Sequence, residues 1–176
     1  VASMLVVFAR ISMPHTAVLG RVPGTTTYRN VDRFPEVETS DRVSIIRVDA
    51  ALSFVNATPV KQLLLEQAAP MAEVDGAVVL DASGINDLDA TGAETLAEVL
   101  DEYDDLQVPF HMSDVKGPVR DVMHRAGLWT RLGARVHPSL DDAIRALEVG
   151  REDPQDQRAT GLDEREEQLP LDHRST

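Results

Sequence analysis

Cysteine is absent from the 176 residues, lysine occurs only at Lys61 and Lys116, and aromatic residues make up 4%. Without cysteine there is no disulfide framework and no thiolate metal site, which suits a cytosolic setting. Acidic residues outnumber basic ones 30 to 17, for a formal charge of −13. That balance excludes nucleic acid as the main partner. It equally disfavours docking on an anionic membrane through a basic face.

Long apolar runs are missing too. Val1 to Ala9 is nearly all apolar, yet nine residues cannot cross about 30 Å of hydrocarbon as a helix. Arg10 follows the apolar run instead of preceding it, so the order is not that of a signal peptide. Two readings stand side by side. One is the last turns of a membrane helix with a cytosolic flank; the other is a strand or ordering segment of the domain itself. The first residue is Val, not Met, which suggests a piece of something longer.

Several catalytic signatures are also lacking. Neither lysine sits in a Walker loop, and no three spaced glycines follow a strand. Ala82-Ser83-Gly84 lacks the first glycine of a nucleophile elbow. His15, His111, His124, His137 and His173 include no pair at ligand spacing, so each reads as an ordinary surface or strand residue. No base, nucleophile and oxyanion set emerges, and the chain reads as a non-enzyme with no cofactor. Asn56-Ala57-Thr58 matches a glycosylation sequon but precedes a helix in a cysteine-free chain, and is discounted.

What is present is an alternation of strand and helix patterns. Ala17 to Gly20 reads as a first strand, Gly24 to Tyr28 as a turn with a short extension, and Val43 to Val48 as a second strand. Pro59 suits the first position of a helix whose apolar face is Val60, Leu63, Leu64 and Ala68, and Pro70 ends or interrupts it. Ala77 to Leu80 is a short β-branched apolar run, hence a buried strand. Leu96, Leu100 and Tyr103 stripe the helix after it. Asp101-Glu102-Tyr103-Asp104-Asp105 reads as that helix's solvated end. Val108 to Ser113 is a further strand. Pro118 opens a helix with Val119, Val122, Met123 and Ala126 inward and Gly127 as its stop. Ser139, with Asp142, caps a last helix whose inner face is Leu140, Ala143, Ile144 and Leu147. The order β, β, α, β, α, β, α, α implies an α/β fold with a mainly parallel sheet and flanking helices. The domain proper is expected over residues 15–150, after a membrane-exit or linker segment at 1–14. An acidic, disordered tail is expected at 151–176.

The most informative stretch is Gly76 to Glu94: buried strand, polar loop, helix start. Thr91 and Glu94 have capping-box spacing, which puts the helix start near Asp89 to Thr91. Free amides at a helix start suit an anion, a phosphate or a phosphorylated partner. Asp81, Asp87 and Asp89 can be read as a Mg²⁺ cluster, but carboxylates at strand ends and helix caps more often accept backbone hydrogen bonds.

The pattern Leu80-Asp81-Ala82-Ser83-Gly84-Ile85-Asn86-Asp87-Leu88-Asp89-Ala90-Thr91-Gly92 between strand and helix resembles a STAS domain, the module shared by sulfate transporters and anti-sigma-factor antagonists. The resemblance covers roughly Ala17 to Leu147. Ala17-Val18-Leu19-Gly20-Arg21-Val22-Pro23-Gly24-Thr25, Tyr28-Arg29-Asn30-Val31 and Leu52-Ser53-Phe54-Val55-Asn56-Ala57 resemble the SulP-type anion permeases, which place this domain directly after their last membrane helix. The resemblance implies a regulatory domain on the cytoplasmic face of the cell membrane, within an integral membrane protein. Its partners would be the transmembrane domain of the same transporter, a homodimer mate or a soluble regulatory protein. It also implies weak binding of GTP or ATP. Candidate nucleotide- or partner-binding residues are Ser53, Phe54, Asn56, Ser83, Asp87, Asp89, Ala90, Thr91 and Gly92. In the antagonist branch a serine in an Asp-Ser-Ser/Thr-Gly pattern is phosphorylated. Here Asp89-Ala90-Thr91-Gly92 puts an alanine, with no hydroxyl, at that position. The alternatives are a free-standing antagonist phosphorylated on Thr91 or Ser83, and a nucleotide-binding domain or weak nucleotidase using Asp81, Asp87 and Asp89 with Mg²⁺.

Overall fold

Parallel strands buried on both faces organise the domain. The computed structural model describes residues 14–149. Residues 1–13 of the membrane-exit or linker segment expected at 1–14, and the acidic tail expected at 151–176, lie outside the described residues. Of the described residues, 14–143 belong to one compact unit and 144–149, which are helical, to a second.

A six-stranded sheet has the order β2-β1-β3-β4-β5-β6. The strands are β1 Thr16–Arg21, β2 Tyr28–Asn30, β3 Val43–Val48, β4 Ala77–Asp81, β5 Phe110–Ser113 and β6 Val136–His137. β3 to β6 run parallel, and β1 is antiparallel to both its neighbours. Helices α1 Ala57–Glu73, α2 Ala90–Asp105, and α3 Gly117–Arg125 with α4 Leu128–Leu132 make the crossovers. A further helix starts at residue 140. Ile46, Val48, Val78, Leu80, Phe110 and Met112 alternate along their strands and join one core with Val60, Leu64, Leu96, Leu100, Val119 and Met123 of the helices. β4 is buried at every position, as an interior parallel strand should be.

The expected α/β architecture is therefore present, with corrections at the edges. α1 begins at Ala57, so Pro59 occupies its third position. Pro70 does not end α1, which runs on to Glu73; exposed and close to the C-terminus, Pro70 removes one hydrogen bond from the last turns only. Ala126 is exposed, not inward. Gly127 does stop α3, in the left-handed conformation (φ 75°). Ser139 caps the last helix: its hydroxyl accepts the Asp142 amide at 3.2 Å and donates to the Asp142 carboxylate at 2.7 Å. The short extension expected after the Gly24 turn is β2, which starts at Tyr28; β6 and α4 were not expected, because elements this short carry no measurable periodicity.

Tyr103 ties the helical layer together. Its hydroxyl donates to the Leu64 carbonyl of α1 at 2.5 Å, and its ring meets Phe110 of β5 edge-on, centroids 4.9 Å apart. Burial pushes its phenol well above the usual range, so it stays a donor. Tyr103→Phe is expected to cost about 1 kcal/mol and Tyr103→Ala about 3–5 kcal/mol in urea unfolding.

Two of the histidines are strand residues, as expected, and they meet. Strand pairing brings His111 of β5 to His137 of β6, with Nδ1 and Nε2 2.9 Å apart and the rings stacked. Burial first, then His137 and Arg135, push His111 from 6.5 to about 4. Burial also lowers His137, against the pull of Asp142. Between about 4 and 6.5 the folded chain thus binds fewer protons than the unfolded chain, and stability rises with pH. Asp114, raised by burial, opposes this only toward the acid end. Urea midpoints are expected to fall from about pH 7 to about pH 5, and His111→Gln to flatten that fall.

Candidate functional site

The C-terminal end of β4 opens the site. Asp81, buried at the strand end, accepts the Ser83 amide at 2.9 Å through Oδ1. This closes a one-turn 3₁₀ segment, Ala82–Gly84. Asp87 accepts its neighbour's amide, Leu88, at 2.9 Å. The chain then reaches Asp89, the residue flanking α2.

Asp89 makes two bonds at once. Its Oδ1 accepts the Gly92 amide at 2.8 Å, capping α2, and its Oδ2 accepts the Phe54 amide at 3.0 Å, 35 residues away. The expected capping box between Thr91 and Glu94 is not formed, because Asp89, not Thr91, stands at the cap. Thr91 lies in the first turn and is exposed.

A short parallel bridge reinforces the link. The Leu52 amide donates to the Asp87 carbonyl at 3.0 Å, and the Asp89 amide to the Leu52 carbonyl at 3.2 Å. Gly92 makes this approach possible, since a Cβ there would lie 2.4 Å from the Leu52 carbonyl oxygen. Asn56 secures the other end of the 52–56 loop: its Oδ1 accepts the Ser53 amide at 3.0 Å, and its Nδ2 donates to the Ala51 carbonyl at 2.8 Å.

The structure thus brings the two candidate segments, Ser53 to Asn56 and Asp87 to Gly92, onto one surface. Within it the residues divide. Asn56 and Gly92 are buried and build the surface from beneath. Phe54, 74% exposed, is its largest apolar projection, beside exposed Ala90, Thr91 and Asp87. Ser83 is exposed on the preceding turn. Leu52 and Leu88, which join the segments, were missed by sequence reasoning; two ordinary leucines carry no signal of a bridge across 36 positions. Lys116 also reaches the loop, donating to the Asn86 amide oxygen.

Asp81, Asp87 and Asp89 each accept a different backbone amide, which is capping work. Among the described residues no group of three or more His, Asp or Glu side chains could hold a metal ion. The helix start, where a phosphate would sit, already holds the Asp89 carboxylate.

The STAS domain family model matches residues 34–143. Sulfate transporter 4.1, chloroplastic, of Arabidopsis thaliana is 29% identical over 160 residues, which cover 83% of this chain and 23% of that protein. The chain thus spans about a quarter of the length of the curated relatives it matches. Among solved structures, the murine Solute Carrier 26 family member A9 anion transporter in its inward-facing state superposes with a TM-score of 0.74. That match has 22% identity and covers 84% of this chain and 24% of that one. An anti-sigma factor antagonist from Mycobacterium paratuberculosis superposes with a TM-score of 0.53 and 25% identity, over 63% of this chain and 90% of that one.

Asp89→Ala removes the α2 cap and the Phe54 bond together, and is expected to cost about 2 kcal/mol by chemical unfolding and to speed amide exchange at Phe54. Asp89→Asn, which can keep one acceptor, is expected to cost less. With a family model matched over more than half its length and the sheet and helix order that goes with it, the chain belongs to the STAS domain family.

Proposed function

We propose that this chain is the regulatory and interaction domain of a SulP-type anion transporter, held at the cytoplasmic face of the membrane. One observation carries the reading. The likeness to a sulfate transporter runs over 83% of the chain, past both ends of the 34–143 family match, while the chain accounts for 23% of that protein. The antagonist likeness stops at 63%. In this reading residues 1–14 leave the membrane, residues 15–150 form the domain, and the transported anion, sulfate or a relative, binds in the membrane part.

The contact surface is the joined pair of loops. Phe54 supplies apolar area, and Asp89 and Asn56 hold it in place. Ala90 has no hydroxyl at the position that matches the antagonists' phosphorylated serine, which weighs against a switch at that position. The Asp89 carboxylate at the α2 start weighs against a nucleotide phosphate in the same place. The partners would be the transporter's own transmembrane domain, a second domain of the same kind or a soluble regulator.

The parent reading frame upstream of Val1 is expected to encode a series of apolar spans of about 20 residues; a frame without them overturns the reading. Phe54→Ser is expected to leave the unfolding midpoint within about 0.5 kcal/mol of wild type. The same variant should reduce co-purification of the domain with the membrane part.

A further inference from the structure

The contact between His111 and His137 sits at an edge of the sheet. β6 is the last strand in the order and only two residues long. It pairs with β5 through Met112 with Val136 and Ser113 with His137. Just past β5, the Asp114 amide reaches the His137 carbonyl at 3.3 Å, beyond the usual range for such a bond. A strand with so few backbone bonds depends on its side chains for its place. The 2.9 Å contact from His111 Nδ1 to His137 Nε2 supplies a side-chain bond across the pair. Gly133, at φ 55°, lies three residues before β6 and is a point where the chain can turn.

Two imidazoles in this arrangement respond to protons in steps. With both rings neutral, one nitrogen donates and the other accepts. With one ring charged, its N–H still donates to the neutral ring. With both charged, two N–H groups and two positive charges face each other across 2.9 Å, and the bond is lost. The neighbours set the order. Asp142, on the last helix, favours charge on His137, whereas Arg135, in the turn before β6, opposes charge on His111. Two more carboxylates lie at these strand ends, Asp114 after β5 and Asp81 of β4, and they act on each other. On β4 the register puts uncharged Val79 beside His111. The first proton therefore goes to His137 and keeps the bond; the second, on His111, breaks it.

We propose that the His111–His137 bond is a proton-operated latch on β6, shut while at most one ring is charged and opened when both are. Opening frees the two residues of β6 and leaves β5, Phe110–Ser113, with an unpaired edge. Such an edge is a surface on which another strand can add. A freed His111 takes its proton near 6.5 and the latched one at about 4, so acid favours the open form between these values. The latch is separate from the Phe54 surface and does not depend on the transporter reading.

The test is amide hydrogen exchange on the whole chain, read by NMR from about pH 7 down to about pH 4.5, with the imidazole nitrogen shifts followed in the same samples. Protection is taken relative to an unfolded chain at the same pH. At Asp114, Val136 and His137 it is expected to fall by up to about tenfold per pH unit below about 6.5, while Val78, Val79 and Leu80 of β4 keep theirs. The fall should track the charging of His111. His111→Gln, whose amide can hold a hydrogen bond but no charge, is expected to keep β6 protected across the range. His124→Gln, on α3, should follow the wild type. An equal loss across β4 and β6 overturns the latch, because the whole sheet is then opening. So does a loss that His111→Gln leaves unchanged, or a His111 that charges while β6 stays protected. The wild-type chain alone decides the first and last of these, so a variant that does not fold leaves the test in force.

Discussion

Asp89 is the group on which the candidate surface depends. One carboxylate accepts the first-turn amide of α2 and the Phe54 amide of a loop 35 positions earlier. Neither segment would hold its place alone. The 52–56 loop is held by the Asn56 bonds and the Leu52 bridge, and the α2 start needs an acceptor for its amides. A single acidic side chain ties the loop to that cap.

Gly92 and the Leu52–Leu88 bridge show the same constraint in backbone terms. The α2 helix must come within contact of the Leu52 carbonyl for the bridge to form, and only a residue without Cβ allows it. The glycine after Asp89-Ala90-Thr91 thus has a packing reason independent of any ligand. Ala90 has no such duty: it is exposed, and its methyl lines an open groove between α2 and α3. Two positions in one motif are held for different physical reasons, one for backbone approach and one for surface chemistry.

The sequence by itself determined the α/β class, the buried β4 run, the inward stripes of α1 and α2, that of α3 except Ala126, and the position of the loop between β4 and α2. Each of these is written in local periodicity or in a residue with a strong conformational preference, such as Gly127 or Ser139. Only the tertiary structure decided the rest. It placed Phe54 beside Asp89, exchanged Thr91 for Asp89 as the cap, and paired His111 with His137. Apart from the Asp89 cap, a local bond to Gly92, these turn on residues far apart along the chain, set by strand register and helix approach. Local pattern holds no term for them, because the same leucine or histidine reads identically whether its partner is present or not.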